Sequence, residues 1–328
     1  MTTIVKAVRV HETGGPEVLR YEDVELPDPG PGEVLVRHHA IGVNFIDTYH
    51  RSGLYALDDL PRIIGQEGAG TVEAVGEDVT EVSEGDRVAH ATAGPGSYAE
   101  AEIVPAAKLV PVPDEVSFEQ AAAVLLQGMT VEFLVRRAFE VEKGMTVLWH
   151  AAAGGIGLIA CRWLSHIGAT VIGTVSTDEK AELAKLHGCS HPVVYTREDF
   201  VARTRELTEG RGVPVVYDSV GRDTFLRGFD CLERRGMLVG FGNASGKPEP
   251  FDPMLLARKG SLYVTRPTLF HYCAEREDLL ASAAAVFELV AKGVIDAEPR
   301  HGYPLENAAE CHRDLEGRRT AGSVILRP

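Results

Sequence analysis

The chain has 328 residues, 45% of them hydrophobic and 25% charged, a balance that fits a globular protein with room for two domains. Lys and Arg number 33 against 48 Asp and Glu, giving a net charge of −15 and a pI near 5.3. That charge repels phosphate over most approaches, so neither a nucleic acid nor an anionic membrane surface is an expected partner.

The first 126 residues read as β-rich. Strands are expected at 4–10, 19–24, 33–41 and 71–75, with a turn into a strand over 82–88 and β-character continuing over 97–104. Gly14-Gly15-Pro16 and the rigid 27–32 loop (PDPGPG) punctuate them, as in a small barrel-like domain. Ser117 and Gln120 then form a capping-box pattern at a helix start. A second helical stretch, 127–139, is expected to bridge two domains.

Residues 146–149 (TVLW) suit a buried strand, and 156–167 carries helical apolar spacing. The turn between them contains Ala153, Gly154, Gly155 and Ile156, with Ala152 where a G-x-G-x-x-G pattern would start and Gly157 where it would end. Strand, small-residue turn and helix together are what a dinucleotide pyrophosphate needs. The backbone can approach closely, and the helix N-terminus presents N–H groups. Strands at 170–175, 192–195, 213–217, 237–241 and 261–264 alternate with helices at 178–187, 198–208 and 222–234. That alternation predicts a doubly wound parallel sheet, an α/β fold. Helices at 275–292 and 304–315 and a strand at 322–326 close the chain. They are expected to fold back onto the N-terminal part, making domains of 1–126 with 268–328, and 127–267.

There is no signal-peptide pattern and no apolar run long enough to span a bilayer. Cys161, Cys189, Cys231, Cys273 and Cys311 are scattered and form no C-x-x-C, so a reduced, cytoplasmic setting is expected. At the end of the second strand of the nucleotide fold, NAD-preferring proteins place an acid. Here Ser176 stands there and Lys180 follows four residues on, a pair suited to a 2′-phosphate and hence to NADPH. Asp178 either caps the following helix or opposes that phosphate.

Several stretches carry a resemblance along almost the whole chain: Gly14 to Leu19, Asn44 to Tyr49, Arg51 to Tyr55, Ala151 to Gly157, Tyr217 to Gly221, Phe241 to Asn243 and Gly260 to Pro267. Through them the chain resembles the medium-chain dehydrogenase/reductase superfamily, and within it the zinc-free, zeta-crystallin-like quinone oxidoreductases. The resemblance implies a GroES-like catalytic domain and a Rossmann domain that binds NADPH. It adds Tyr195 and Arg318 to the 2′-phosphate pocket. Asn44 and Thr130 line the nicotinamide, with Ser219, Phe241, Gly242, Val264 and Arg266 also holding the cofactor. Tyr49 and Tyr55 would face the acceptor, or only pack as aromatics. Zinc-dependent members carry Gly-His-Glu where this chain reads Gly65-Gln66-Glu67, and a ligand cysteine that is replaced here within Gly42-Val43-Asn44. No cysteine precedes Cys161, so no metal site is expected. His38, His39 and His50 read as surface or rim histidines. The expected activity is reduction of a quinone by NADPH. The alternatives are an NADPH-dependent alkenal or enone reductase, and a non-enzymatic NADPH-binding protein of the crystallin or RNA-binding kind. The last strand of the nucleotide sheet, 260–264, is an apolar edge and is expected to pair with its two-fold copy in a homodimer.

Overall fold

The computed structural model describes residues 3–328. Two compact units form: Met1–Met129 with Tyr272–Pro328, and Thr130–His271, against expected divisions at 126/127 and 267/268.

The first unit opens with β1 (Thr3–Val10), β2 (Leu19–Leu26) and β3 (Glu33–Val43), then α1 (Phe45–Ser52). The short β4 (Arg62–Ile63), β5 (Glu67–Val75), β6 (Arg87–His90), β7 (Ala101–Pro105) and β8 (Val110–Pro111) follow. β1 pairs β2 along its whole length and β4 at its end. β3 is the central strand of the larger sheet, antiparallel to both β5 and β7. Val34, Val36, Val72, Val88 and Val104 close one core beneath it. Such β-branched residues fit a pleated surface buried on one side. Sequence periodicity assigned no element to 45–52, because only two turns form there. The turns are fixed by the Asp47 carboxylate accepting the Asn44 N–H at 2.8 Å, and by Gly53 closing the end at φ +78°.

The helix α2 (Phe118–Phe133) starts at the expected capping box: Ser117 N–H donates to Gln120 Oε1, and Gln120 N–H donates to Ser117 Oγ. It continues into a π turn over Leu134–Ala138, so the two expected helical stretches are one. This helix is the one described segment long and apolar enough to cross a membrane. Its apolar window is 83% buried in the protein, so it is a core helix.

The second unit is a six-stranded parallel sheet built from β9 (Thr146–Trp149), α3 (Gly155–Ile167), β10 (Thr170–Val175), α4 (Asp178–Leu186), β11 (His191–Val194), α5 (Phe200–Leu207), β12 (Val213–Asp218), α6 (Phe225–Gly228), β13 (Leu232–Gly240), α7 (Met254–Arg258) and β14 (Tyr263–Thr265). The spatial order β11-β10-β9-β12-β13-β14 is that of a Rossmann sheet, reversing between β9 and β12. The helix expected over 222–234 is a correction. Only Phe225–Gly228 is α-helical, a 3₁₀ turn covers Phe229–Cys231, and Leu232 already begins β13. Phe225, Phe229 and Leu232 mimic helical spacing, but all three bury into the sheet's core, and Leu232 pairs with Val213. A register shift follows before Met237 pairs with Val215. Tertiary pairing overrides the local period here.

The chain ends with α8 (Leu269–Tyr272), then α9 (Arg276–Ala291), β15 (His301–Pro304), α10 (Ala308–Glu316) and β16 (Val324–Arg327). β16 is antiparallel to β3 in the first unit's sheet, so the tail completes the fold that the N-terminus began. β15, which periodicity did not assign, adds parallel to β16.

Candidate active site

In the second unit, the switch point lies where β9 and β12 end. The turn after β9 places Ala151 at φ +57° and buries Ala152 and Ala153. Ala152 N–H donates to Thr174 O at 3.0 Å, tying the turn to β10. A Cβ on Gly157 would run into the backbone of Ala151 and Ala152, the nearest Ala152 atom at 2.7 Å, so only glycine lets α3 start this close to the strand. Gly154 differs: its Cβ would meet only Ala151 O, at 3.3 Å. Gly154 is the N-cap of α3 and brings no side-chain cap, so the first N–H groups from Gly155 and Ile156 keep their donors for a ligand. This is the geometry a pyrophosphate requires.

Across the switch point, Asp218 ends β12 fully buried. Its Oδ1 accepts the N–H groups of Val220 and Gly221, and its Oδ2 accepts the Thr224 hydroxyl. The carboxylate thereby shapes the loop holding Ser219. A Cβ on Gly242 would press on Ser219 at 2.5–3.0 Å, so this glycine packs the β13 loop against it. Phe241 N–H donates to Asp218 O, and its ring lies 5.5 Å from Trp149. Tyr217 sends its hydroxyl to Leu134 O at 3.2 Å, where the π turn begins. Thr130 is buried on α2, Val264 sits on the partly exposed β14, and Arg266 donates to Pro267 O.

Of the expected 2′-phosphate residues, Ser176 and Tyr195 lie together at the carboxyl ends of β10 and β11, and Lys180 lies on α4. Ser176 follows β10, Tyr195 N–H donates to Val175 O, and the Thr196 hydroxyl donates to Ser176 O. Thr177, not Asp178, caps α4 by accepting the Lys180 N–H at 3.3 Å. Asp178 is gripped by both Nη groups of Arg197, which hold its carboxyl below the ordinary range. Arg197 lies 19 residues away in sequence, and no local signal pointed to it. Arg318, the other expected member, belongs to the first unit and has φ +57°.

The first unit holds Asn44, Tyr49 and Tyr55. Asn44 is the N-cap of α1 and is buried. Its Nδ2 donates to Glu67 Oε2 at 2.7 Å, and its Oδ1 accepts from Gln127 Nε2 at 3.3 Å. Glu67 is fully buried, and Oε1 accepts the Leu126 N–H. Burial pushes its carboxyl up to about 8 despite those bonds, and pushes Asp47 up to about 7. Tyr49 and Tyr55 meet edge to face, with ring centroids 5.1 Å apart. Behind them runs a buried relay. Arg51 Nη1 donates to His312 Nδ1, which leaves the proton of a neutral imidazole on Nε2, facing the Tyr98 oxygen at 2.9 Å. The Tyr98 hydroxyl in turn donates to Asp47. Burial, reinforced by Arg51, keeps His312 neutral.

Two histidine readings are corrected. His38 and His50 are buried, 4% and 9% exposed, and only His39 lies at the surface. His38 is enclosed against His90 and Glu102, which distant strands bring to it, and His50 packs against Tyr55. Zinc does not fit the Gln66–Asn44 position. Gln66 Nε2 faces Ala91 O, Asn44 already binds Glu67, and neither imidazole nor thiolate is supplied by these two residues.

Residues 30–114 match the alcohol dehydrogenase GroES-like domain family, and residues 155–281 match the zinc-binding dehydrogenase family. A quinone oxidoreductase of Pseudomonas aeruginosa is 50% identical over 325 residues, covering 99% of this chain and all of that protein. A 2-haloacrylate reductase of Burkholderia sp is 42% identical, over 99% of both chains. The crystal structure of Escherichia coli quinone oxidoreductase complexed with NADPH superposes with a TM-score of 0.97 at 46% identity, over 98% of this chain and 100% of that one. With a GroES-like unit, a Rossmann unit and full-length relatives at this identity, the chain belongs to the quinone oxidoreductase family of the medium-chain dehydrogenase/reductases.

Proposed function

We propose that this protein is an NADPH-dependent, zinc-independent reductase of quinones. The carrying observation is the Asn44–Glu67 hydrogen bond of 2.7 Å at the position where metal-dependent members of the superfamily hold zinc. NADPH supplies a hydride, and a quinone is electron-poor enough to accept it without a Lewis acid. Gly154 and the N-terminus of α3 receive the pyrophosphate, with Ala153, Gly155 and Ile156 forming the turn. Ser176, Lys180, Tyr195 and Arg318 read the 2′-phosphate, and Arg197 offsets Asp178 beside them. Ser219, Phe241, Gly242, Val264, Arg266 and Thr130 hold the nicotinamide half. Glu67 and Gln127 fix the Asn44 amide, whose second N–H is left for the ring or acceptor. Tyr49 and Tyr55 face the acceptor.

The test is NADPH oxidation with a panel of a benzoquinone, a 2-alkenal and a 2-haloacrylate, each repeated with NADH. Fastest turnover of the quinone with NADPH is expected. A preference for the 2-haloacrylate or alkenal would favour the second reading, an enone-type reductase, which the 42% identical relative supports. Turnover of none, with an RNA gel shift, would favour a non-enzymatic role. We further propose a cytoplasmic homodimer. All five cysteines are buried thiols outside any disulfide, in keeping with a reducing compartment. On β14, Tyr263 is 57% and Val264 37% exposed, an apolar edge that a two-fold copy would cover. Sedimentation at micromolar concentration should give twice the chain mass; a monomer there would remove the dimer reading.

A further inference from the structure

The larger sheet of the first unit carries a cluster that the reductase chemistry does not use. His38 on β3, His90 at the end of β6 and Glu102 on β7 are distant in sequence, but β3 pairs with β7, and β5 joins β3 to β6. The three side chains turn toward one point. His38 Nε2 lies 3.1 Å from His90 Nε2. Glu102 Oε2 lies 3.4 Å from His90 Nε2 and 3.8 Å from His38 Nε2.

We propose that His38, His90 and Glu102 form a binding site for a divalent transition-metal ion, with Zn²⁺ the best match to two imidazoles and one carboxylate. Spacing is the first argument. Ligand atoms about 2.0–2.1 Å from a tetrahedral zinc are roughly 3.3 Å from one another. The three separations scatter around that edge length, and all donor atoms fall within 4.8 Å.

Orientation is the second argument. His38 Nδ1 lies 2.9 Å from the Ala99 carbonyl oxygen, so that nitrogen carries the proton and Nε2 keeps its lone pair. A backbone carbonyl behind a ligating imidazole is the usual way such a ring is held in the correct tautomer. Both rings are fully enclosed. Glu102 Oε2 is buried and makes no hydrogen bond. A hydrogen-bonding role would have satisfied that oxygen; a cation satisfies it directly.

Space is the third argument. Gly68 on β5 faces the cluster, and a Cβ there would stand 2.5 Å from His38 Nε2 and 3.0 Å from His90 Nε2. The sheet thus brings a backbone, not a side chain, to the side of the two donor nitrogens. A metal here would clamp β3, β6 and β7, so its effect is on the stability of this unit. It stands apart from Asn44 and Gln66, whose position does not fit zinc.

The test uses the untagged full-length protein, stripped with chelator and dialysed. Addition of one equivalent of Co²⁺ should give the intense visible bands of a four- or five-coordinate site with nitrogen ligands. Zn²⁺ should displace it, bind at one per chain by metal analysis, and raise the melting temperature. His90→Asn and Glu102→Gln should bind at least about tenfold more weakly and lose the melting shift. His39→Asn, beside the site in sequence but at the surface, should bind as the wild type does. A wild-type Co²⁺ spectrum no different from free aqueous ion overturns the proposal whether or not the variants fold. Equal zinc binding by wild type and His90→Asn also overturns it.

Discussion

Replacing Lys180 with alanine tests the cofactor pocket most directly. Lys180 is half-buried at the third position of α4, held there by the Thr177 cap, one strand end from Ser176 and Tyr195. The neighbouring acid, Asp178, is paired with Arg197, so the local field favours an anion more than the sequence alone implied. An ammonium–phosphate contact in a partly exposed pocket contributes about 1.5–3 kcal/mol. At about 1.4 kcal/mol per decade, Lys180→Ala should lower kcat/KM for NADPH by roughly ten- to a hundredfold. NADH lacks the phosphate, so its kcat/KM should hardly change. Asp178→Asn frees Arg197 from an exposed ion pair, so NADPH use should improve by no more than about fivefold. Ser176→Asp should move preference toward NADH, because the new carboxylate repels the phosphate and accepts from a ribose hydroxyl. The assay is steady-state kcat/KM with both cofactors for each variant. Equal loss with NADPH and NADH in Lys180→Ala, or a wild type that prefers NADH, refutes the pocket.

Prolonged chelation should leave the rate of quinone reduction unchanged, and a loss of rate that zinc restores would end the zinc-independent reading. Gly157→Ala should destabilise the protein by about 1–3 kcal/mol, since the added Cβ meets backbone atoms of Ala151 and Ala152 that cannot rotate away. An unchanged urea midpoint would show that α3 can shift without cost. His312 is pushed from 6.5 down to about 3, mainly by burial, so the fold holds it neutral. Its contribution to stability is complete above pH 6.5 and is lost as pH falls toward 3, at up to about 1.4 kcal/mol per pH unit. Urea stability of His312→Asn should therefore fall less steeply with acid than that of the wild type, and parallel pH profiles would refute the buried neutral imidazole.

The sequence by itself determined most of the elements and the cofactor turn. Residues 146–175 were legible because strand, small-residue turn and helix are local patterns: the strands at 146–149 and 170–175 stand as expected, and α3 begins one residue early. The capping box at Ser117 was legible for the same reason. The lack of an imidazole or thiolate at Asn44 and Gln66 could be read from residue types alone. What only the tertiary structure decided depends on contacts between distant segments. Leu232 left a helical period because a strand partner, Val213, was available. Arg197 reached Asp178, and Glu67 reached both Asn44 and Leu126, across 19, 23 and 59 residues. His38 read as a surface or rim residue, and it met His90 and Glu102 only through strand pairing. Periodicity reports which face of an element is apolar; it carries no information about what another part of the chain will place against that face.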